Sequence, residues 1–360
     1  MCDTQARSNT VMKVHDFRSD TVTLPTPEMM AAIANARLGD AARGDDPTVK
    51  ELERLSADLT GTDDALFLPS GAMANLSALI AHGCHGCEVI VEEAAHIYNS
   101  EGGGISVVAG AVPRPIRGHF GAMDPADVKA GIRSPADLAL APTRLICLEN
   151  THNASGGSVV PLGNMAAIQA VARQAGVPVH LDGARLFNAG AYLQVPVAEI
   201  CKFTDSVWFA VCKGLGGPVG AVLAGDAAFM AKARRAAKML GGGMRQAGLI
   251  AAPAIVALKD PYAVHRRDHR VARILALGLA GIDESLVAVD RVQTNIVNCF
   301  VDRFADDAGE INRALRERGI LAIARRTKIR FVTHYHIDEA AVDAAVTRFA
   351  EVIKSFRKAA

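Results

Sequence analysis

The chain has 360 residues, half of them hydrophobic, with 39 Lys and Arg balanced by 38 Asp and Glu. That length allows one large domain or two moderate ones, and the even charge balance argues against a nucleic-acid or anionic-membrane surface. Seven cysteines, at 2, 84, 87, 147, 201, 212 and 299, form no disulfide framework; with no signal-peptide core and no bilayer-length apolar stretch, a cytoplasmic protein is expected.

Residues 1–13 are polar and aperiodic and read as a loose arm. Thr26-Pro27-Glu28 opens a helix with Pro in its first turn, and Met29, Met30, Ile33 and Ala34 share one face. After a Gly/Asp loop, Thr48 and Glu51 have capping-box spacing ahead of a helix carrying Leu52 and Leu55. Residues 65–68 form a short buried strand, and Pro69-Ser70-Gly71-Ala72 leads from it into an apolar helix over 73–81. Such a turn aims unpaired N–H groups and a positive dipole end at one spot, which makes an anion cradle or simply an ordinary strand-to-helix turn. Cys84-His-Gly-Cys87 has metal-ligand spacing without a second pair, so it reads as small apolar cysteines in a helix-end turn, and no metal is expected.

Further strands are expected over 88–92, 106–109, 143–148 and 177–181, with a helix over 162–176 and Asp182-Gly-Ala-Arg185 closing the last strand. The apolar run from Ser206 to Cys212 then delivers Lys213 to a bend of glycines and a proline. A lysine there either snorkels to solvent or serves as an amine nucleophile, because burying an unpaired ammonium is costly. Strands alternating with helices imply an α/β fold with a mostly parallel sheet, whose ligands sit at the carboxyl ends of the strands. Ser70, His96, Asn150, Asp182 and Lys213 all fall at such ends. Past residue 250 the alternation loosens: 253–258 and 264–279 read as helices, 294–301 and 328–332 as strands, and 337 onward as a closing helix. The expected organisation is an arm over 1–25, a large α/β domain over 26–250 and a small α+β domain over 251–360.

A strand-end lysine, a strand-end aspartate one unit earlier and a Ser-Gly helix start suit pyridoxal 5'-phosphate together. A lysine bonds its aldehyde, a carboxylate keeps its pyridine nitrogen protonated, and a helix N-terminus takes its phosphate. Signatures for nucleotide triphosphates, dinucleotides, zinc proteases and serine hydrolases are missing.

The chain resembles the L-threonine aldolase family of fold-type-I pyridoxal-phosphate enzymes. The matching stretches include Phe17-Arg-Ser-Asp-Thr-Val-Thr23, Gly44-Asp-Asp-Pro-Thr-Val49, Leu68-Pro-Ser-Gly71, Ala74-Asn-Leu76 and Ala94-Ala-His96. Leu148-Glu-Asn-Thr-His-Asn153, Asp182-Gly-Ala-Arg185, Lys213-Gly-Leu215, Gly241-Gly-Gly-Met-Arg-Gln246 and Ile329-Arg-Phe-Val-Thr-His334 continue the match. The resemblance implies that Lys213 carries the cofactor, Asp182 pairs with its pyridine nitrogen and His96 stacks on its ring. It also implies that Ser70, Gly71 and Ala72 cradle the phosphate, with Arg245 arriving from a neighbouring subunit of a homo-oligomer. Arg185 and Arg330 would hold the substrate carboxylate, with Ser19 nearby. The implied reaction cleaves the Cα–Cβ bond of threonine, allo-threonine or a related β-hydroxy-α-amino acid to glycine and an aldehyde. Another pyridoxal reaction, β-elimination or transamination, and a non-catalytic relative are the alternatives.

Three positions depart from the family pattern. Arg43 replaces a loop tyrosine, Ala139 stands where a histidine is common, and Cys212 replaces a serine before the lysine. Arg43 either faces the substrate side chain, favouring an acidic substrate such as 3-hydroxyaspartate, or points to solvent or pairs with Asp45 or Asp46.

Overall fold

The structure is a computed structural model that describes residues 13–356. The arm expected over 1–13 therefore lies almost wholly outside the described residues. In chain order the elements are α1 (Pro27–Ala34), α2 (Pro47–Thr60), β1 (Asp64–Leu68), α3 (Gly71–Ala81), β2 (Glu88–Glu92) and β3 (Val112–Ile116). Next come β4 (Thr143–Glu149), α4 (Leu162–Ala175), β5 (Val179–Asp182), β6 (Ser206–Ala210), β7 (Ala221–Gly225), α5 (Ala227–Met239) and α6 (Gly248–Ala257). The last third adds α7 (Pro261–Ala280), β8 (Ile296–Phe300), α8 (Ala308–Glu317), β9 (Ile323–Arg325), β10 (Lys328–Val332) and α9 (Glu339–Lys354).

The large sheet has seven strands in the order β1-β7-β6-β5-β4-β2-β3. The pairs from β6 to β3 are parallel, while β7 runs antiparallel to both β1 and β6. Helices cover both faces, as the alternating pattern predicts for a sheet whose strands read as continuous apolar runs. A second core, built around the antiparallel set β8-β10-β9, contains Val271, Leu275, Phe331 and Phe349.

Three expectations shift in detail. Residues 106–109 are not a strand: Gly104–Val107 is a single helical turn, with Ile105 buried and Val107 83% exposed. A run of β-branched residues that short cannot set its own conformation against tertiary packing. The strand there is β3, Val-Pro-Arg-Pro-Ile, an edge strand where prolines are tolerated because one side of the ladder is unpaired. At the start of α2 the cap is Asp46, whose Oδ1 accepts from Thr48 N (3.1 Å) and Val49 N (3.0 Å), with Pro47 at the first helical position. Finally, α6 contributes Ala251 and Ala254 to the core of the large sheet, so the expected boundary after residue 250 cuts a helix of that layer.

The N-terminal segment is tied across both cores. Phe17 is fully buried in the second core, His15 and Asp16 pair in parallel with Ile320 and Leu321, and Thr23 Oγ1 donates to the carbonyl of Lys213 at 2.9 Å. Residues 13–25 therefore form part of the walls of the site.

Candidate active site

Glu149 and Asp182, at the carboxyl ends of β4 and β5, stand in lateral register with Trp208 in the middle of β6. Period-two alternation along parallel strands puts the side chains of such a row on one face of the sheet. His180 and Ser206, two residues earlier on β5 and β6, form a second row on that face. The face is covered by α3, whose Asn75 is fully buried above both rows.

Lys213 lies three residues past β6, in the bend expected for it. Gly214 cannot be larger there, since a Cβ would sit 2.7 Å from His265 Cε1. The ammonium lies 5.8 Å from the centre of the Trp208 ring. Burial, together with the charge of Arg185, lowers the Lys213 pKa and raises the neutral, nucleophilic fraction of its amine.

Asp182 is 1% exposed and accepts from Ala184 N at 3.1 Å and from Asn75 Nδ2 at 3.0 Å. No ion pair reaches it among the described residues. Burial and the neighbouring charges of Glu149 and Glu101 push its pKa up to about 7. Glu101 Oε1 accepts from Asn75 Nδ2 at 2.8 Å and lies 3.0 Å from His96 Nδ1, a contact that raises the His96 pKa. Ligand atoms of His96, Glu101 and Asp182 lie within 4.8 Å of one another. A bound cation would have to share that space with the Asn75 amide, a donor aimed at both carboxylates, so the trio is built for hydrogen bonding. Glu149 serves the same corner from below: Oε2 accepts His96 N at 2.6 Å and Oε1 accepts Asn153 N at 2.8 Å.

Ser70 caps α3, its Oγ accepting from Met73 N at 3.3 Å. The first-turn N–H groups of Gly71 and Ala72 have no intrahelical partner by helix geometry, which leaves them for an anion. A Cβ on Gly71 would meet Trp208 Cη2 at 2.3 Å, so the indole is packed directly beneath the start of the helix.

The two arginines expected at one carboxylate differ sharply. Arg185 is buried, and its Nε and Nη2 each donate to Asp20 at 2.7 Å. Burial pushes Asp20 up, but Arg185, helped by Lys213 and Asn295, outweighs it and holds the carboxyl well below the usual range. Arg330 is half-buried, has no carboxylate partner among the described residues, and leaves its buried Nε without any partner. Burial and Arg185 lower its pKa to about 10. Asn153 Oδ1 accepts from both, at 3.4 Å from Arg185 and 3.1 Å from Arg330. Ser19 precedes Asp20, and Arg330 Nη2 reaches the Arg18 carbonyl at 3.3 Å, so Ser19 belongs to this end of the site.

Arg43 and Arg245 form a separate group. Both pair with Asp40, Arg245 at 2.8 Å and Arg43 at 3.4 Å, and their side chains are 58% and 77% exposed respectively. The pairing expected for Arg43 with Asp45 or Asp46 is replaced by this one; Asp46 is occupied capping α2 and accepting from Gly39 and Gly248 N–H groups. Ala139 lies in an exposed stretch, its N–H held by Asp137.

Comparison with known proteins places this geometry. Residues 16–302 match the family model described as beta-eliminating lyase. The chain belongs to that family. It is similar to a probable low-specificity L-threonine aldolase of Arabidopsis thaliana, 41% identical over 96% of this chain and 99% of that protein. It is 40% identical to the low specificity L-threonine aldolase of Escherichia coli K12, over 89% of this chain and 94% of that protein. Among solved structures, Leishmania major threonine aldolase superposes with a TM-score of 0.78 at 22% identity, covering 96% of this chain and 100% of that one, a likeness of fold.

Family membership does not by itself name the residues that hold the site in shape. Asn75, Glu101 and Glu149, with Asp20 and Asn153, were not assigned roles by sequence reasoning. Asn75 and Asn153 sit inside motifs quoted above, but their partners lie 107 and 32 positions away, at Asp182 and Arg185, and no local pattern announces such a bond.

Proposed function

We propose that this chain is a pyridoxal-phosphate-dependent aldolase that cleaves the Cα–Cβ bond of L-threonine, L-allo-threonine or related β-hydroxy-α-amino acids to glycine and an aldehyde. The observation that carries this reading is a Lys213 whose pKa burial lowers, in one site with a buried Asp182 that no ion pair reaches among the described residues, in a chain about 40% identical to low-specificity L-threonine aldolases. The residues fit the cofactor. A protonated pyridine nitrogen would supply the positive charge that Asp182 lacks, the Lys213 amine suits its aldehyde, and the open start of α3 at Ser70, Gly71 and Ala72 suits its phosphate.

The bound group supplies an electron sink for the pair left at the substrate Cα. Everything else falls to the protein. Asp182 keeps the sink charged, and Asn75 and Ala184 hold its carboxylate in place. His96, whose ring is partly exposed and anchored by Glu101 at Nδ1 and by Glu149 at its backbone N–H, would line the face of the bound cofactor. Arg330 offers its unpartnered donors to the substrate carboxylate, beside Ser19. Arg185 directs Nε and Nη2 at Asp20 and Nη1 at Asn153, so its part in carboxylate binding is chiefly its charge. By anchoring the carboxylate, these residues would fix which bond to Cα is presented for cleavage. Arg245 is exposed and, among the described residues, its side chain pairs with Asp40 alone, and this supports a role towards the phosphate of a neighbouring subunit in a cytoplasmic homo-oligomer.

Product analysis tests the function directly. The holoenzyme, offered threonine, allo-threonine and 3-hydroxyaspartate, is expected to release glycine and the matching aldehyde in equal amounts. Pyruvate or another keto acid with ammonia as the main product would replace the aldolase reading with β-elimination, and a chain that stays colourless with added cofactor would end both.

A further inference from the structure

Asn75 makes four polar contacts inside the protein, and one of them fixes the sense of all the others. Trp208 Nε1 lies 2.7 Å from Asn75 Oδ1. An indole N–H can only donate, so the amide oxygen must face Trp208, and the amide nitrogen must face the other way. There it lies 3.0 Å from Asp182 Oδ2 and 2.8 Å from Glu101 Oε1. Both amide hydrogens are thus directed at carboxylate oxygens.

The ordering continues behind the amide. His180 Nε2 is 3.2 Å from Asn75 Oδ1, an acceptor, so that nitrogen carries the hydrogen and Nδ1 is bare. The bare nitrogen accepts from the Ser206 hydroxyl at 2.8 Å, which leaves the serine oxygen to accept from His82 Nε2, also at 2.8 Å. Burial first, and then His82, lower the His180 pKa to about 3, while burial and Lys232 lower that of His82 to about 4, so both rings stay neutral near pH 7. With neutral rings the chain of bonds has one orientation from His82 to Asp182.

We propose that Asn75 is a positioning residue of the site: its amide, locked from behind by Trp208 and His180, donates to Asp182 and Glu101 together and presents both as carboxylates, one to the cofactor ring and the other to His96. The physical need is plain. Asp182 is buried beside Glu149 and Glu101, and both effects favour its neutral form. A protonated Asp182 could not hold a pyridinium. N–H donation favours the ionised form and opposes that drift. The device is also economical in the fold, since α3 carries the phosphate cradle at its first turn and Asn75 five residues after the Ser70 cap.

The role assigned to Asp182 rests on the cofactor reading above, but the bonds can be tested apart from it. The chain has one tryptophan, so the Trp208 indole N–H gives a single nuclear magnetic resonance signal. In the full chain, with and without pyridoxal phosphate, that signal is expected downfield and protected from solvent exchange. Selective histidine labelling is expected to show His180 protonated at Nε2 from pH 6 to 8. In Asn75→Leu, indole protection falls about tenfold or more, cofactor affinity by absorbance titration falls about tenfold, and kcat falls while the substrate KM stays near wild type. A freely exchanging indole, or a His180 proton on Nδ1 in the wild-type chain, overturns the proposal whether or not the variant folds. So does an Asn75→Leu protein with wild-type cofactor affinity and kcat. A wild-type chain that takes up no pyridoxal phosphate overturns the function proposed above, and is read on cofactor absorbance, separately from the indole and imidazole signals.

Discussion

Around Asp182 the polar groups are sealed: Asn75 and His180 are fully buried, Asp182 is 1% exposed and Trp208 3%. Around Asp40 the same kinds of group stand in solvent, with Arg245 58% and Arg43 77% exposed. The floor of the site is therefore held by bonds that are expensive to leave unmade, whereas the rim is held by ion pairs that water and salt largely screen. The rim can be turned towards a neighbour or a substrate at little cost, and it is also where the sequence departs from its family at Arg43.

Substitutions should separate the two regions by size of effect. Lys213→Ala is expected to lower the turnover of β-hydroxy amino acids on the order of 10⁴-fold and to abolish borohydride trapping of the cofactor, followed by mass spectrometry. Next comes Arg185→Met, which leaves Asp20 buried and unpaired and should cost about 3–5 kcal/mol in urea unfolding. This pair also has a pH signature. Since the folded Asp20 pKa lies below the unfolded value of about 3.9, its stabilisation is present above about pH 4 and is lost as pH falls through the folded value. The stability gap between wild type and Asp20→Asn should then be constant from about pH 5 to 8 and shrink in acid.

Asp182→Asn removes the charge of the floor and sets an amide NH2 against the Ala184 or Asn75 donor, so kcat should fall roughly 10²–10³-fold and stability in urea should fall by about 1–3 kcal/mol. For Arg330→Lys, loss of the planar fork should raise the substrate KM about tenfold while stability stays put, the reverse of Arg185. A large stability loss there would mean that Arg330 belongs to the buried frame. The smallest effect belongs to the rim: Arg43→Ala should move stability by less than about 0.5 kcal/mol. Its kcat/KM ratio for 3-hydroxyaspartate against threonine should stay unchanged if the solvent pairing with Asp40 is all it does.

Five of the seven strands of the large sheet were readable because they are short apolar runs with helices between them, and the places of Lys213, Asp182 and Ser70 were readable because each stands at or just past the end of such a run; β7 (221–225), which runs antiparallel to both its neighbours, was not expected. Burial pattern and chain order carry that information locally. The strand at 112–116 was not readable, because its two prolines argue against any strand whose edge position is unknown.

By itself, then, the amino-acid sequence determined most of the layer architecture, the places of Asp182 at a strand end and of Lys213 in the bend after the next strand, and the family. Tertiary structure alone decided which groups hold these two in place. Asn75 meets Asp182 across 107 positions, Arg185 meets Asp20 across 165, and Glu149 reaches the backbone of His96 across 53. Hydrogen bonds are short and directional, so whether a polar residue donates to a carboxylate depends on angstroms set by the packing of whole helices on the sheet. That packing is what ties Arg185 to Asp20 and leaves the buried Nε of Arg330 without a partner.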